Sequence, residues 1–457
     1  MIEVSIEKTN KYINELLSRI IDDIKNKIKD NRDLSVLVLL FVVGLFVFSF
    51  LMNTVHLRPE SDIQSQKTFL NIYMHYIEIW MRDGYWKHGG LFYIDAGSVL
   101  NPSQNSFHYR SSGIWLVSSL LIEKMNYLIT GTVSYKLMAV HNQIIIMITS
   151  VLFGFLVWRL GRRMNSVDHY AVLLASVSCL AVYQTFPQNL FYFWNITPQA
   201  NFMLIVVVFF IIIESLYSEK RIPRIAKIAL PAIVAFMVFS EYAASLFLGI
   251  SFILASIVAG ISFKKIKQII GYILISYILL MIFINFQFLI AKINYPNIDI
   301  VGSSAMFRMG FDGNVTHVKD HFDLLFGRHL SHIYPTGGSA GNPEFLVWKW
   351  MFIAGVLSLI FILFKQLKKI DFNFIILFSL VGMYSLYAFI FMNAVIIHTD
   401  IYDIFLFLPL VLAFFGLMPL YANKILKNNI ISSIVFIIAV CYVFVQLRSY
   451  AIMIPKF

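Results

Sequence analysis

The chain has 457 residues, of which 59% are hydrophobic and only 13% are charged, and its mean hydropathy is +0.76. Soluble domains are about 45–50% apolar and about 25% charged, so the composition excludes an ordinary soluble protein and predicts an integral membrane protein. The two cysteines lie inside apolar runs, which excludes a disulfide framework or a cysteine-based metal site. The formal net charge of +11 comes from segments predicted to face the cytoplasm. It therefore reflects membrane orientation and gives no support for binding to nucleic acid.

Residues 1–33 precede the first long apolar run and carry Ile and Leu residues at helical spacing. We predict a cytoplasmic amphipathic segment here, with a solvated helical tail as the alternative. The following apolar run has no small-residue cleavage site behind it, so we expect it to be a retained anchor rather than a signal peptide. This places the N-terminus in the cytoplasm.

A helix needs about 20 apolar residues to cross a bilayer, and the sequence predicts about 11 transmembrane helices in an all-α, polytopic chain. They lie near 34–52, 137–158, 169–186, 201–217, 226–240, 243–262, 268–290, 347–364, 372–396, 404–422 and 430–447. The stretch 226–262 is too long for one straight crossing, so we interpret it as a tight hairpin that turns at Ser240-Glu241-Tyr242. Glu241 is then a surface residue, whereas a buried Glu241 would be a functional candidate.

Two long segments, 53–136 and 291–346, are predicted outer loops within a membrane domain that covers 34–447, and residues 448–457 form an outer tail. In the first loop, apolar residues recur at helical spacing in two stretches. We expect two amphipathic roof helices that lie in the outer interface and leave a groove between themselves and the spans. The stretches contain Phe69, Ile72, Tyr73, Tyr76, Ile77 and Trp80, and then Ile114, Val117, Leu121, Met125 and Leu128.

Polar residues suited to chemistry cluster in the outer segments. Glu60 and Asp62 follow the first span closely, and a carboxylate at the membrane surface can act as a base toward a hydroxyl or amine. Each could instead cap the following helix or stay hydrated. The same face carries donors suited to a phosphate, namely Arg58, Arg110, Arg328, His329, His332 and His398. Tyr109, Tyr334 and Tyr402 are the candidate groove residues.

The second outer loop allows an alternative use of its histidines. His317 and His321 are four positions apart and would share a helical face, so with Asp320 or Asp323 they could hold a divalent metal. We favour hydrated or phosphate-contacting histidines and expect no metal and no cofactor. The glycines at 337, 338 and 341 suit either a mobile flap or a disordered loop.

These features together resemble the C superfamily of membrane glycosyltransferases (GT-C). This superfamily includes protein O-mannosyltransferases, aminoarabinose transferases of lipid A and phage-type O-antigen glucosyltransferases. The resemblance lies in Pro59-Glu60-Ser-Asp62, the roof helices with Arg82-Asp-Gly84-Tyr-Trp86 between them, Tyr109-Arg110-Ser-Ser-Gly113, and His398 to Pro409. Many relatives have His-Pro-Pro where this chain has Arg-Ser-Ser, and they usually begin the acid motif with Asp. The second difference leaves open which acid is the base.

The resemblance implies transfer of a sugar from a polyprenyl-phosphate carrier to an acceptor on the outer, periplasmic side of the plasma (inner) membrane. Glu60 or Asp62 would be the base, and the Arg and His residues would bind the departing phosphate. We expect the acceptor to be a surface polysaccharide such as O-antigen or lipopolysaccharide, or another lipid-linked glycan, with protein also possible. A transporter or flippase of lipid-linked saccharide is the alternative from another class, and a polysaccharide polymerase or ligase is a third. No nucleic acid partner is expected.

Overall fold

A computed structural model describes residues 32–56, 77–89, 92–94, 106–108, 117–186, 189, 198–218, 224–294, 299–301, 343–366, 370–390 and 399–453. This part of the chain is almost entirely helical. Its helices are α1 (Arg32–His56), α2 (77–83), α3 (Val117–Thr130), α4 (Tyr135–Arg163), α5 (His169–Gln184), α6 (Pro198–Ser218), α7 (Arg224–Ser240), α8 (Tyr242–Val258), α9 (Phe263–Asn294), α10 (Pro343–Gln366), α11 (Phe372–Ile390), α12 (Thr399–Val411), α13 (Met418–Leu426) and α14 (Ile430–Met453). A 3₁₀ turn covers Tyr85–His88, and a π-helical segment, Leu412–Leu417, joins α12 to α13.

Each of the eleven predicted spans coincides with one of these helices, α12 and α13 together forming the tenth. Within the described residues, six stretches are long and apolar enough to cross a membrane: Arg32–Asn53, Lys136–Arg163, Ile266–Asn294, Phe372–Ile390, Phe405–Leu426 and Ile430–Arg448. The other predicted spans correspond to shorter apolar helices of 10–17 residues. The all-helical membrane architecture is therefore confirmed, while eleven crossings and their orientation remain predictions.

Side-chain caps determine where several helices begin. The hydroxyl of Ser134 accepts from the backbone N–H of Leu137 at 3.3 Å, which satisfies a donor in the first turn of α4. Asp168 caps α5 in the same way by accepting from the N–H of Tyr170 at 3.1 Å. Both caps lie in short polar connections, so they fix the first residue of each helix.

Helices α1, α4 and α5 pack closely at the centre of the core. A Cβ atom added to Gly154 of α4 would lie 2.8 Å from the carbonyl oxygen of Ser176 on α5 and 3.4 Å from a methyl of Leu40 on α1. Small residues at such crossings allow helix backbones to approach each other in membrane proteins. The indole N–H of Trp158 also donates to Asp33 at 3.0 Å, which links α4 to the first turn of α1.

The helical run predicted as a hairpin is interrupted where the sequence indicates. Glu241 has φ −149° and ψ 89°, which are not helical angles, and it separates α7 from α8. The two helices pack chiefly against different neighbours: α7 lies on α6 and α9, whereas α8 lies on α11. The break at Glu241 is confirmed, but mutual packing of a tight hairpin is not the main contact of either helix.

A small sheet that the sequence analysis did not predict joins the two long loops. Its strands are β1 (Phe92–Ile94), β2 (Ser106–His108) and β3 (Asp299–Val301), in that spatial order. β1 pairs with β2 antiparallel, and β2 pairs with β3 in parallel, with His108 opposite Val301. Because β1 and β2 belong to the first long loop and β3 to the second, the two loops lie at the same end of the helices. We call this the loop end.

Candidate functional site at the loop end

One of the eleven predicted site residues, Tyr402, is on a described helix, in the first turn of α12, and its side chain is not described. The other ten lie outside the described residues: Arg58, Glu60, Asp62, Tyr109, Arg110, Arg328, His329, His332, Tyr334 and His398. The elements that lead to several of them are described, since α1 ends at His56 and β2 ends at His108. Convergence of these residues remains a prediction.

The first loop is attached to the loop-end half of α9 through an aromatic turn, residues 85–89. The ring of Trp86 contacts those of Phe283 and Phe286, with centroids 6.3 and 6.2 Å apart. Gly89 has φ 62°, and a Cβ there would lie 2.2 Å from the carbonyl oxygen of Gln287. Only glycine fits both this conformation and this contact. The sequence between the predicted roof helices, which includes Gly84-Tyr85-Trp86, therefore attaches the first loop to α9.

Tyr85 is a titratable group of this turn. Burial raises the pKa of Tyr85 to about 12, although its hydrogen bond with the side chain of Gln287 acts in the opposite direction. Its ring also packs edge-on against Trp80 of α2, with centroids 5.0 Å apart. The phenol therefore remains protonated at physiological pH and serves as a neutral link between α2, the turn and α9.

The described parts of the two predicted roof helices are both helical. In α2, Ile77 and Trp80 of the predicted apolar stripe are buried. In α3, by contrast, the stripe residues Leu121, Met125 and Leu128 are 56%, 64% and 77% exposed. The exposed stripe suits contact with lipid, and placement of either helix at the membrane surface remains a prediction.

The buried face of α3 carries polar residues that the sequence analysis missed. The carboxylate of Glu123, which is fully buried, accepts from the backbone N–H of Ser134 at 3.2 Å and from the amide of Asn126 at 3.3 Å. The hydroxyl of Ser119 lies 3.4 Å from Nδ1 of His141 on α4. These contacts fix α3 to the start of α4. The signal available in the sequence was that Ser119 and Glu123 each lie within one helical turn of an apolar residue of the predicted stripe.

Two levels of buried amides lie between α4 and α5, and the sequence analysis also missed them. At the deeper level, Gln184 donates to the carbonyl of Gly44 at 3.1 Å and accepts from Ser150 at 3.4 Å. Nearer the loop end, Gln143 donates from its side chain to the backbone carbonyl of Asn189 at 3.2 Å. Polar side chains inside a membrane bundle are uncommon and often line a functional path.

The helix break at Glu241 lies against the middle of α9. The hydroxyl of Tyr277 donates to the backbone carbonyl of Tyr242, the first residue of α8. Phe239, two residues before the break, packs on Phe283 with ring centroids 5.5 Å apart. Tyr277 is eleven residues from one end of the apolar stretch Ile266–Asn294, so the break is well inside the depth of this helix. Glu241 is half-buried there rather than exposed at a surface turn.

An apolar groove of about 520 Å³ runs along one side of α9 near this break. Its lining residues are Tyr277, Ile278, Met281, Ile282 and Asn285. Ile278 and Met281 are 59% and 50% exposed. A groove with this lining, on a helix apolar enough to span the membrane, suits a hydrocarbon chain better than a polar solute.

A charged cluster lies at the opposite ends of α4 and α6. Glu214, with a side chain 2% exposed, is 2.6 Å from Nε of Arg159 and 2.5 Å from Nε of Arg163. Arg162 of the same run pairs with Asp33 on α1. Arg159, Arg162 and Arg163 are therefore engaged in ion pairs that hold α1, α4 and α6 together.

The described residues contain no group of three or more His, Cys, Asp and Glu side chains suited to a metal ion. The alternative metal ligands His317 and His321 lie outside this part of the chain. The described part of the loop end thus combines buried amides, the Glu123 carboxylate, aromatic rings and strand pairing, next to loops whose sequence contains arginine and histidine.

The described residues thus form a helical bundle with six helices apolar enough to span a membrane and a small sheet at the loop end. No known protein-family model matches the chain, and neither the curated proteins nor the solved structures include a match to it.

Proposed function

We propose that the chain is a membrane glycosyltransferase that takes a sugar from a polyprenyl-phosphate carrier. The observation that supports this proposal is the pairing of β2 with β3, which joins the two loops that carry the predicted phosphate ligands. Tyr109 and Arg110 directly follow β2 in the sequence, and the last residue of β2, His108, pairs with Val301 near the start of the second loop. The attachment of the aromatic turn to α9 adds a third element to the same end.

The proposed reaction uses the two carboxylates after α1 and the cationic side chains of both loops. An acceptor hydroxyl oxygen attacks the anomeric carbon of the donor sugar, with inversion, while Glu60 or Asp62 takes the hydroxyl proton. The bond between the anomeric carbon and the phosphate oxygen breaks, and its electron pair leaves with polyprenyl phosphate. Arg and His donors stabilise the charge that develops on this phosphate.

The carrier chain would lie along the membrane-facing surface. The apolar groove on α9 suits an isoprenoid chain in size and lining, and it lies below the aromatic turn on the same helix. The acceptor is proposed to be a surface glycan, a lipid-linked glycan or a protein. The site would face the periplasm or cell exterior, with the basic cluster of α4 on the cytoplasmic side.

Mass spectrometry of purified protein with short-chain polyprenyl-phosphate hexoses and a mixed glycan acceptor tests the proposal. We expect free polyprenyl phosphate and a glycosylated acceptor from the wild type, and neither from the Glu60→Gln/Asp62→Asn double variant. Glu78→Gln, at an exposed carboxylate of α2, is the matched control and should retain turnover. Wild-type turnover in the double variant would show that the base assignment is wrong.

The same assay tests the role of Arg328 and distinguishes the proposed transferase from a polymerase or ligase. Arg328→Ala should raise the donor concentration needed for half-maximal rate more than it lowers the maximal rate, because a phosphate ligand contributes to binding before the transition state. A polymerase or ligase would instead consume pyrophosphate-linked donors and release polyprenyl pyrophosphate. Release of that product alone would replace the present proposal with the polymerase.

The helix break at Glu241 supports a second candidate function, a transporter or flippase of lipid-linked saccharide. Interrupted helices with an ionisable residue within the membrane are typical of transport proteins, and Glu241 lies beside the middle of α9. Reconstituted vesicles containing a fluorescent lipid-linked saccharide test this function. Movement between leaflets that is lost in Glu241→Gln, without release of polyprenyl phosphate, would favour the transporter.

A further inference from the structure

Gln143 of α4 and Asn189, which lies beyond the end of α5, form a buried amide pair near the loop end. Gln143 is 0% and Asn189 is 1% exposed. Nε2 of Gln143 donates to the backbone carbonyl of Asn189 at 3.2 Å, and the amide nitrogen of Asn189 donates to the backbone carbonyl of Tyr183. The amide nitrogens of both side chains are thus used to hold the segment after α5 against α4.

The side-chain carbonyl oxygens of this pair are in a different situation. Oε1 of Gln143 and Oδ1 of Asn189 have no hydrogen-bond partner among the described residues. Buried acceptors of this kind are rare in folded proteins, and they are more costly where bulk water is remote. At the deeper amide level, Gln184 uses both its donor and its acceptor groups. At the level nearer the loop end, by contrast, both side-chain acceptors lack a hydrogen-bond partner among the described residues.

The surrounding sequence is neutral but rich in hydrogen-bonding groups. No Asp, Glu, Lys or Arg occurs between His169 and Glu214, a segment that contains both α5 and Asn189. Residues 184–201 instead combine Gln and Asn side chains with Phe, Tyr and Trp. A sequence of this composition suits a ligand with many hydroxyl groups and weakly apolar ring faces. A phosphate or another ion would require charged partners, which this segment lacks.

The distance of Gln143 from the loop end agrees with a hydroxyl-rich ligand that is attached to a membrane lipid. Gln143 is eight residues from the start of α4, or about 12 Å along the helix axis at 1.5 Å per residue. A polar group attached to a membrane lipid can reach this depth from the loop end, whereas a soluble polymer cannot enter it as a whole. Both side chains are buried, so a sugar can reach the two carbonyl oxygens only when the packing around them opens.

We propose that Gln143 and Asn189 form a sugar subsite whose two carbonyl oxygens accept hydrogen bonds from hydroxyl groups of a lipid-linked saccharide. The inference rests on the proposed substrate class and adds the residues that recognise its sugar. It holds for transfer and for transport alike, because both begin with binding of the same ligand. The arginine and histidine residues of the outer loops would bind the phosphate.

Thermal unfolding of the purified full chain with two kinds of probe tests the subsite. The probes are farnesyl phosphate alone and farnesyl phosphate carrying a hexose, an N-acetylhexosamine or a pentose. For the wild type, we expect at least one sugar-bearing probe to raise Tm more than farnesyl phosphate does, with about tenfold tighter binding from two added hydrogen bonds. An equal effect of every probe in the wild type would overturn the inference without any variant.

Two substitutions then locate the effect. In Gln143→Met and Asn189→Leu, the sugar-bearing probe should bind no more tightly than farnesyl phosphate, while the affinity for farnesyl phosphate itself is unchanged. Gln446→Met makes the same change at another buried glutamine, on α14, and should keep the sugar-dependent gain. A gain that persists in both variants would overturn the subsite. Absence of polyprenyl phosphate release from a chain that still shows the gain would instead count against the transferase alone.

Discussion

Asn294, the last residue of α9, donates from its side-chain amide to the backbone carbonyl of Lys87 at 3.0 Å, 207 positions earlier in the chain. Together with the ring contacts of Trp86, this hydrogen bond holds the first long loop against the end of α9. In the sequence, α9 lies between the first and the second long loop. The aromatic turn is therefore a structural joint between the membrane bundle and the loop end. The next prediction tests that joint.

Gly89→Ala should detach the aromatic turn from α9. The new Cβ would meet the Gln287 carbonyl at 2.2 Å and would force an L residue into φ 62°, so the turn must move. Gly131→Ala is the control, since Gly131 has φ 72° with no atom within 4 Å of a new Cβ. We expect Gly89→Ala to lose most activity in the transfer or transport assay and to become more sensitive to limited proteolysis near residue 87. If the two variants had the same activity and the same sensitivity to proteolysis, the effect would come from the positive φ angle and not from the contact with the Gln287 carbonyl.

Removal of one arginine partner of Glu214 should destabilise the bundle. Arg163→Ala leaves a buried carboxylate with incomplete compensation, and such losses are about 3 kcal/mol. Arg162→Ala removes an arginine that is 41% exposed and paired with Asp33, so its cost should stay below about 1 kcal/mol. Thermal unfolding in detergent measures both. A cost for Arg162→Ala as large as that for Arg163→Ala would contradict the assigned role of Glu214.

Close packing at Gly154 gives a prediction with a matched control. Gly154→Ala places a methyl group 2.8 Å from the Ser176 carbonyl oxygen, and overpacking of this kind costs about 1–3 kcal/mol. Gly271→Ala is also in a helix, but a Cβ there meets nothing within 4 Å. That variant should be neutral or gain about 0.5–1 kcal/mol from helix propensity. The order of the two Tm values decides the prediction, and a lower Tm for Gly271→Ala would refute it.

Asp168 should contribute a pH-dependent term to stability. Hydrogen bonds from Asn429 and from the backbone N–H of Tyr170 lower the pKa of Asp168 below its ordinary value. A carboxyl with a lowered folded-state pKa stabilises the fold above its unfolded pKa of about 3.9, and the contribution is lost as pH falls through the folded value. The Tm difference between the wild type and Asp168→Asn should therefore shrink from pH 6 to pH 3. A constant difference over this range would exclude the ionised cap.

The helices could be predicted from the sequence because their signal is local. Runs of apolar residues close to 20 in length gave positions that agree with the helix bounds, and the polar residues at Ser240-Glu241-Tyr242 gave the break between α7 and α8. The relative packing of α7 and α8 could not be predicted, since it depends on α9 and α11, which follow later in the chain. Local periodicity contains no information about such neighbours.

The polar features of the candidate site were harder to predict for the same reason. Gln143 and Asn189 meet across 46 positions, and single amides in apolar runs look like tolerated helix residues. The strands have three residues each, too few for an alternating pattern to indicate a strand. Charged and aromatic motifs in the loops were visible to sequence reasoning, whereas the amide pair and the sheet required three-dimensional contacts.

The pairing of β2 with β3 also constrains how the protein is made. Roughly 190 residues separate the two strands, so at about 5–20 residues per second β2 waits roughly 10–40 s for its partner to be synthesised. Helices α3 to α9 lie between them and are made during that interval. The pairing of the two loops is therefore completed only after α9 has been made, and a chain truncated before Asp299 would contain α1 to α9 but lack β3 and the helix α11 on which α8 packs.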